Sequence, residues 1–477
     1  MTTPTPSVKP WPDYRAVWRW HFYAGLVCIP FVMLLAITGT IYIYRPQIEH
    51  WIDRPYDHFT LNGPPATAEA RVKAALAAVP GSTFDAYELP KSPEAAAQVL
   101  VTKGGEQTRV YVHPETLQIF KMVKESDRFV NVIFYLHGEL LMKNPGSMIV
   151  ESAASWAIIM MITGLYLWWP RQGRGLAGVL YPRLDGGGRL FWRDLHAVTG
   201  VWISGLVLFI LLTGLPWAYL WGNYLKEFRA LTHTDVAVQQ WPVGHDEPAA
   251  APAESSGHAA HHGGAMPGMA MPDDSSGHAP VDYAALDTMV AAVAPLHLPP
   301  PVLISPPGPD SRAWLGLYHE HWTARSDTQN RPERVTLTLD NTTGAVLKRE
   351  GFRDEHPIDQ IVDVGVAAHE GQLFGWPNQL LNTLTAFGLL LLCVSAAVMW
   401  WRRRAQGVLG APEPLQRPRF AIGLGLIVLA LAVYLPLFGL SMIMVKLAER
   451  FVFSRIPSVR NWLGLTPAIS QPKGGNT

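Results

Sequence analysis

Four histidines carry the pattern in this chain that points most directly to chemistry. His21 is followed by glycine at +4 and by Thr-Gly at +17 and +18 (Gly25, Thr38, Gly39), and His196 by the same residues at the same offsets (Gly200, Thr213, Gly214). His137 and His369 each precede a Trp-Trp pair at +31 and +32 (Trp168-Trp169 and Trp400-Trp401). All four stand at the ends of apolar stretches of membrane length. Two neutral imidazoles held in apolar helices are the axial ligands an iron porphyrin needs, whereas two imidazoles alone leave zinc short of its usual three or four protein ligands. Gly25 and Gly200, one helical turn after their histidines, free space for a planar group or for close helix packing. Arg19 and Arg193 are close enough in sequence to the His21/His196 pair to meet propionates, and both also read as ordinary interfacial arginines. Thr38 and Thr213 read as hydroxyls bonded back to their own helix. Glu139 and Glu370 lie one or two residues from their histidines and are expected to face elsewhere.

The elements that must position these residues are membrane helices. The chain has 477 residues, 49% hydrophobic and only 16% charged, with 18 tryptophans; a soluble protein carries nearer a quarter charged residues. Net charge is zero, and no basic stripe, zinc-finger spacing or P-loop is present, so nothing points to a nucleic-acid partner. Cys28 and Cys393 lie inside apolar segments and read as small hydrophobes rather than a disulfide framework. Five segments are apolar enough to cross a bilayer, which takes about 20 residues: 18–45, 147–169, 191–222, 377–401 and 420–446. The first reads as an uncleaved signal anchor.

The arginines set the expected orientation. Arg15 and Arg19 precede the first span. Arg171, Arg174, Arg183 and Arg189 fall between the second and third spans with Arg193 in the first turn of the third, and Arg402, Arg403, Arg404, Arg417 and Arg419 between the fourth and fifth. The positive-inside rule makes the N-terminus 1–17 and the loops 170–190 and 402–419 cytoplasmic. The segments 46–146 and 223–376 are then outside, and so is the tail 447–477. Each outer segment reads as a small α+β unit. The first has a helix at 66–79 and strands at 97–102, 108–113 and 117–123. The second has a helix at 282–294 and strands near 313–320, 333–340 and 345–349. In the last unit His319 and His321 alternate as strand neighbours would. An insertion at 245–280, rich in Gly, Pro, Ala, His and Met, cannot bury a core and reads as disordered. Its His258, His261, His262, Met266, Met269, Met271 and His278 mix imidazoles with thioethers, which favour Cu(I), and so mark a candidate metal loop or a plain linker.

Spans one and three both run outward, so His21 and His196 share one depth; His137 and His369 share the other. A parallel duplication about an axis along the membrane normal faces equivalent residues across that axis, and each pair can clamp one planar cofactor, with haem b the best fit. From His21 to Thr38 is 17 residues, about 25 Å of helix rise, so two haems stand near opposite faces of the bilayer and form an electron wire. Quinol or a cytoplasmic donor would supply it; no flavin or nicotinamide fingerprint is visible.

At this point the chain resembles a known family. Trp18-Arg19-Trp20-His21-Phe22, Leu136-His137-Gly138-Glu139-Leu140, Tyr166-Leu167-Trp168-Trp169-Pro170-Arg171 and Trp192-Arg193-Asp194-Leu195-His196-Ala197 are similar to segments of the PepSY-associated transmembrane family, and the outer units to its PepSY modules, over about residues 15–405. Members include iron-regulated inner-membrane proteins, some of which reduce ferric siderophores in the periplasm with two b haems. The resemblance implies that His21, His137, His196 and His369 are the ligands and that the outer units are periplasmic. The reading is therefore a mainly α-helical inner-membrane protein of five transmembrane helices with two periplasmic α+β PepSY-like domains and an internal parallel duplication. It is expected to act as a dihaem b metal-ion oxidoreductase on a ferric siderophore or another periplasmic metal complex. The alternatives are a copper-handling reductase using the His/Met loop and a non-enzymatic protein that binds a peptide or peptidase.

Overall fold

The computed structural model describes residues 13–170, 176–184, 187–234, 283–309, 318–415 and 422–465. The insertion, with its His258, His261, His262, Met266, Met269, Met271 and His278, lies outside them. Among the described residues, four helices are long and apolar enough to cross a membrane: α1 (Tyr14–Ile43), α5 (Lys143–Trp168), α6 (Gly187–Gly214) and α10 (Trp376–Arg403). Their mutual packing makes them a ring. Helix α1 packs against α5 and α10, and α6 packs against the same two, so α1 and α6 stand diagonally across the bundle, as do α5 and α10.

The third expected span is shorter than 191–222. Pro216 cannot continue a helix and disfavours α geometry in the residue before it, so α6 stops at Gly214, a 3-10 turn takes Leu215–Trp217, and α7 (Tyr219–Leu231) sets off anew. No side chain of its own caps α7. Instead Glu151 of α5 accepts from the amides of Leu220 (2.9 Å) and Trp221 (3.3 Å), and Ser147 from that of Tyr219 (3.0 Å). A buried carboxylate in a membrane helix is costly unless partnered, and here the open end of a helix is the partner.

The expected fifth span is not one straight helix. It is α11 (Ile422–Tyr434) and α12 (Pro436–Ala448), bent by 118° where Pro436 follows Leu435. Thirteen residues rise about 20 Å, less than the roughly 30 Å apolar core. Leu435 and Phe438 pack on Ile158 and Leu215, so the bend is driven into the bundle flank. The chain then returns through a π-helical turn (Glu449–Phe453) and α13 (Pro457–Leu463) to the end it left. Arg19 donates to the carbonyls of Pro412 and Gly464, Tyr23 donates to Leu463, and Leu409 N–H donates to Trp462. The tail therefore sits at the arginine-rich end, beside the start of α1, and not at the opposite end as expected from a simple fifth crossing. Lys446, Arg450, Arg455 and Arg460 thereby join the other cations at that end.

At the other end lies a sheet. After α1 the chain forms α2 (Arg45–Asp53), α3 (Ala68–Ala78) and strands β1 (Thr83–Glu88), β2 (Ala97–Lys103), β3 (Glu106–Val112) and β4 (Ile119–Lys124). After α7 it forms α8 (Ala285–Val293), β5 (Val302–Ser305), the short pair β6 (Gly308–Pro309) and β7 (Tyr318–His319), then β8 (Trp322–Ser326), β9 (Val335–Leu339) and β10 (Val346–Gly351). The two expected α+β units are joined. Their strands make one antiparallel eight-stranded sheet, β10-β9-β8-β5-β1-β2-β3-β4, through the β1–β5 pairing of Tyr87 with Ile304 and Glu88 with Leu303. One core serves both halves: Val72, Val99, Val101, Val110, Leu286 and Leu337 are all fully buried in it. His319 and His321 do not share a strand face, because β7 ends at His319 and a bend precedes β8.

A paired histidine site between two helix diagonals

Neither His137 nor His369 lies on a spanning helix. Each ends a short helix of its own, α4 (Phe129–Glu139) and α9 (Pro357–His369), that folds back toward the bundle before the span begins. The breaks differ in chemistry. After α9 the left-handed positions are Gly371 (φ 75°) and Gly375 (φ 64°); after α4 they are Leu140 (φ 52°), Leu141 (φ 57°) and Lys143 (φ 57°), conformations that cost a side chain about 1–2 kcal/mol each.

Each histidine is held the same way. His21 Nδ1 is 2.9 Å from Thr163 Oγ1 on α5, His137 Nδ1 3.0 Å from Thr38 Oγ1 on α1, His196 Nδ1 3.0 Å from Ser395 Oγ on α10, and His369 Nδ1 3.1 Å from Thr213 Oγ1 on α6. Every one of these hydroxyls already donates its single proton to a carbonyl of its own helix: Thr38 to Leu34, Thr163 to Ile159 and Thr213 to Phe209, each at 2.8 Å, and Ser395 to Leu392 at 3.0 Å. The hydroxyl can then only accept, so the imidazole proton sits on Nδ1. For His196 a second acceptor, the Leu392 carbonyl at 3.1 Å, requires the same tautomer. The lone pair of each Nε2 is left for a ligand, and no described residue hydrogen-bonds any of the four. This is the outer-shell arrangement that fixes the tautomer and orientation of a metal-binding imidazole.

Small residues follow three of the hydroxyls, where a ring must fit. A Cβ on Gly39 would come 3.0 Å from His137 Cε1, one on Gly164 3.3 Å from His21 Cε1, and one on Gly214 3.3 Å from His369 Cε1. The Thr-Gly dipeptides are therefore cradles: the hydroxyl takes Nδ1 and the glycine admits the ring edge. Sequence reading took Thr38-Gly39 and Thr213-Gly214 as a register mark and the two hydroxyls as bonded back to their own helix, which they are, but not as histidine partners, and it missed Thr163 and Ser395. The signal was present, since both stand 26 residues after a histidine, His137 and His369. The change from Thr-Gly to Ser-Ala hid it.

All four histidines line one cavity of about 1800 Å³ in the middle of the bundle, together with Gly25 and Gly200; ordinary small-molecule sites occupy roughly 300–1,000 Å³. His21 and His196 reach it from the α1/α6 diagonal. His137 and His369 meet at the sheet end with ring centroids 6.5 Å apart and planes at 82°. A metal about 2.0–2.1 Å from each of two imidazole nitrogens sets the centroids roughly 6 Å apart. Among the described residues, no three His, Cys, Asp or Glu side chains converge as a metal-holding group. The donor set and the cradles therefore fit a group that asks for two imidazoles and brings its other ligands with it, as a porphyrin does. Cys28 and Cys393 also line the cavity, unpaired.

The acidic neighbours differ from expectation. Glu139 and Glu370 line the same cavity rather than facing away, because each stands where its helix ends and the chain turns. Arg193 lines the cavity, but its guanidinium is 2.6 Å from Asp194, whose fully buried carboxylate also holds Arg183 at 2.7 Å. Arg19 is turned to the tail carbonyls described above. Trp168 and Trp400 line the cavity and donate to Val179 and Leu409, while their neighbours Trp169 and Trp401 are exposed as interfacial belt residues are.

A family model for the PepSY-associated TM region matches residues 18–403. The chain belongs to this PepSY-associated family. The match runs from just before His21 to the last turn of α10, so it takes in all four histidines, their four hydroxyl partners and the whole sheet, and leaves out α11 to α13. With its four long apolar helices, the chain is a multi-pass membrane protein of this family. No curated protein matches the chain.

Proposed function

We propose that the chain is a dihaem b reductase of the bacterial inner membrane that passes electrons to a ferric siderophore in the periplasm and releases Fe(II) for uptake. One observation carries this reading: four imidazoles, each with Nδ1 engaged and Nε2 free, arranged as two cross-bundle pairs in one apolar cavity. Thr38 holds His137 and lies 17 residues along α1 from His21; Thr213 holds His369 and lies 17 residues along α6 from His196. Both intervals are about 25 Å of helix, most of the thickness of the apolar core. Haem b bound by two imidazoles supplies one-electron exchange at each level. The arginine-rich end would face the cytoplasm, which puts the sheet in the periplasm. Quinol or a cytoplasmic donor would deliver electrons near His21 and His196, and the ferric complex would take them near His137 and His369. One electron turns Fe(III) into the softer Fe(II), which hard oxygen donors hold less tightly. The recurrence of offsets, hydroxyl partners and four-strand half-sheets supports an internal parallel duplication.

The test is the reduced-minus-oxidised optical spectrum of the purified full chain with a haem-to-protein ratio, followed by ferric-chelate reduction. Two b haems are expected, with one lost on replacing His21 or His196 and the other on replacing His137 or His369. A well-folded sample without haem, or a loaded one that reduces no ferric chelate when given reductant, would refute the reading.

A further inference from the structure

Five arginines line the cavity at its arginine-rich mouth: Arg183, Arg189, Arg193, Arg402 and Arg403. Asp194 engages Arg183 and Arg193. For the other three, no carboxylate partner is found among the described residues. Arg189 and Arg403 lie within electrostatic range of each other as like charges. Arg403 is braced, its guanidinium 5.0 Å over the Trp18 ring and 5.2 Å over Phe22, with Nη2 donating to the Gly410 carbonyl at 3.0 Å. Arg402 reaches from α10 to the first turn of α6, where its Nη1 lies 2.8 Å from the position of a Cβ on Gly188. Three guanidiniums thus converge on the mouth of an apolar cavity with no described carboxylate in salt-bridge contact with them.

Their register ties them to one histidine. Arg189 is seven residues before His196, and Arg402 is seven residues after Ser395, the residue that holds His196. Seven residues are two helical turns, about 10 Å, so both arginines stand on the faces that carry His196 and Ser395, displaced toward the mouth. The matching positions in the first half are Tyr14, seven before His21, and Pro170, seven after Thr163. Neither bears a charge.

We propose that Arg189, Arg402 and Arg403 form an anion clamp that holds the propionate edge of the porphyrin bound between His21 and His196. This rests on the dihaem reading. The charge asymmetry at the Arg189 and Arg402 positions, since Arg403 has a charged counterpart in Arg171, makes the porphyrin bind in one orientation, its acid edge toward the α6/α10 side of the mouth. Bidentate guanidinium–carboxylate pairing is the contact such an edge takes best. An anionic lipid headgroup shares this chemistry, and the experiment separates the two.

The full chain is compared with Arg189→Gln/Arg402→Gln and with Arg189→Lys/Arg402→Lys. The readouts are haem per chain, the midpoint potential of each haem, uptake of haem against its dimethyl ester, and bound lipid by native mass spectrometry. The expected result is selective weakening of haem retention at the His21/His196 level in the glutamine variant, by about 10- to 100-fold. The other haem keeps its spectrum, the lysine variant recovers retention in part, and wild type prefers haem to the ester where the glutamine variant does not. Two haems with unchanged potentials and unchanged ester preference in the glutamine variant overturn the clamp while leaving the dihaem reading intact. Loss of bound anionic lipid with both haems retained assigns the arginines to a headgroup and also overturns it. A wild-type chain that binds no haem removes the dihaem reading and the clamp together.

Discussion

Replacing Thr38 by valine keeps the shape of the side chain and removes one oxygen. Thr38 Oγ1 has two roles: it donates to its own helix, to Leu34 O at 2.8 Å with Leu35 O at 3.4 Å beside it, and it accepts from His137 Nδ1 at 3.0 Å. Losing the first is nearly free, because a carbonyl at that place in a helix already accepts from the backbone. Losing the second leaves the Nδ1–H of His137 unpaired in an apolar cavity, which costs about 1–3 kcal/mol. It also frees the ring to turn and to exchange tautomers, so Nε2 no longer presents its lone pair in one place; outer-shell losses of this kind lower metal affinity by about 10- to 100-fold. Thr40→Val is the control. Its Oγ1 donates only to Ala36 O at 2.7 Å and touches no histidine, yet the substitution is identical and lies two residues away. Haem retention during detergent dialysis, read with a potentiometric titration of both haems, should show Thr38→Val weakening the His137/His369 site alone, with the His21/His196 site and the Thr40→Val protein unchanged. If Thr38→Val and Thr40→Val behave alike, the hydroxyl does not position the imidazole and the tautomer argument is wrong.

Two further outcomes follow from the region between the sheet and the bundle. Burial alone would raise the Glu125 carboxyl, but Arg109 and Arg128, at 2.6 and 3.2 Å, outweigh it and bring its pKa from 4.5 down to about 2. A carboxyl depressed in the fold contributes stability that is full above its unfolded value and lost as pH falls through the folded one. Unfolding followed by circular dichroism should therefore show a loss of roughly 3 kcal/mol between about pH 4.5 and 2, and Glu125→Gln should flatten that step while lowering stability at pH 7. Leu141, 57% exposed with φ 57°, should be better as glycine. Relief of the left-handed strain, about 1–2 kcal/mol, exceeds the added chain entropy of glycine, about 0.5–1 kcal/mol, so Leu141→Gly should raise the thermal midpoint slightly; a fall would show that Leu141 makes packing contacts that matter more than its backbone.

The amino-acid sequence by itself determined the membrane character, three of the four long spans within a few residues and the start of the other, the helix of each outer unit, β2 to β4 of the first and β9 and β10 of the second, and the equal offsets that relate the four histidines. Those signals are local or periodic: apolar length, arginine bias, alternation along a strand, equal offsets on two helices. It also pointed to the family, through short motifs around the same histidines. What it did not decide depended on contacts between distant segments. Whether Thr38 merely bonds its own helix or also orients a histidine 99 residues away is a question of which helices are neighbours. The fusion of two expected units into one sheet needed only two residue pairs, Tyr87–Ile304 and Glu88–Leu303, and β1 and β5 are too short and irregular to announce themselves. Hydropathy could not show the fold-back at Leu435-Pro436, because a bent hairpin and a straight span are equally apolar; packing of Leu435 and Phe438 on Ile158 and Leu215 decided it. The arginines show the same limit. Arg19 and Arg193 were chosen for closeness in sequence, but tail carbonyls claim one and Asp194 the other, and the cations left over for an anion come from helix ends that meet only once the bundle is closed.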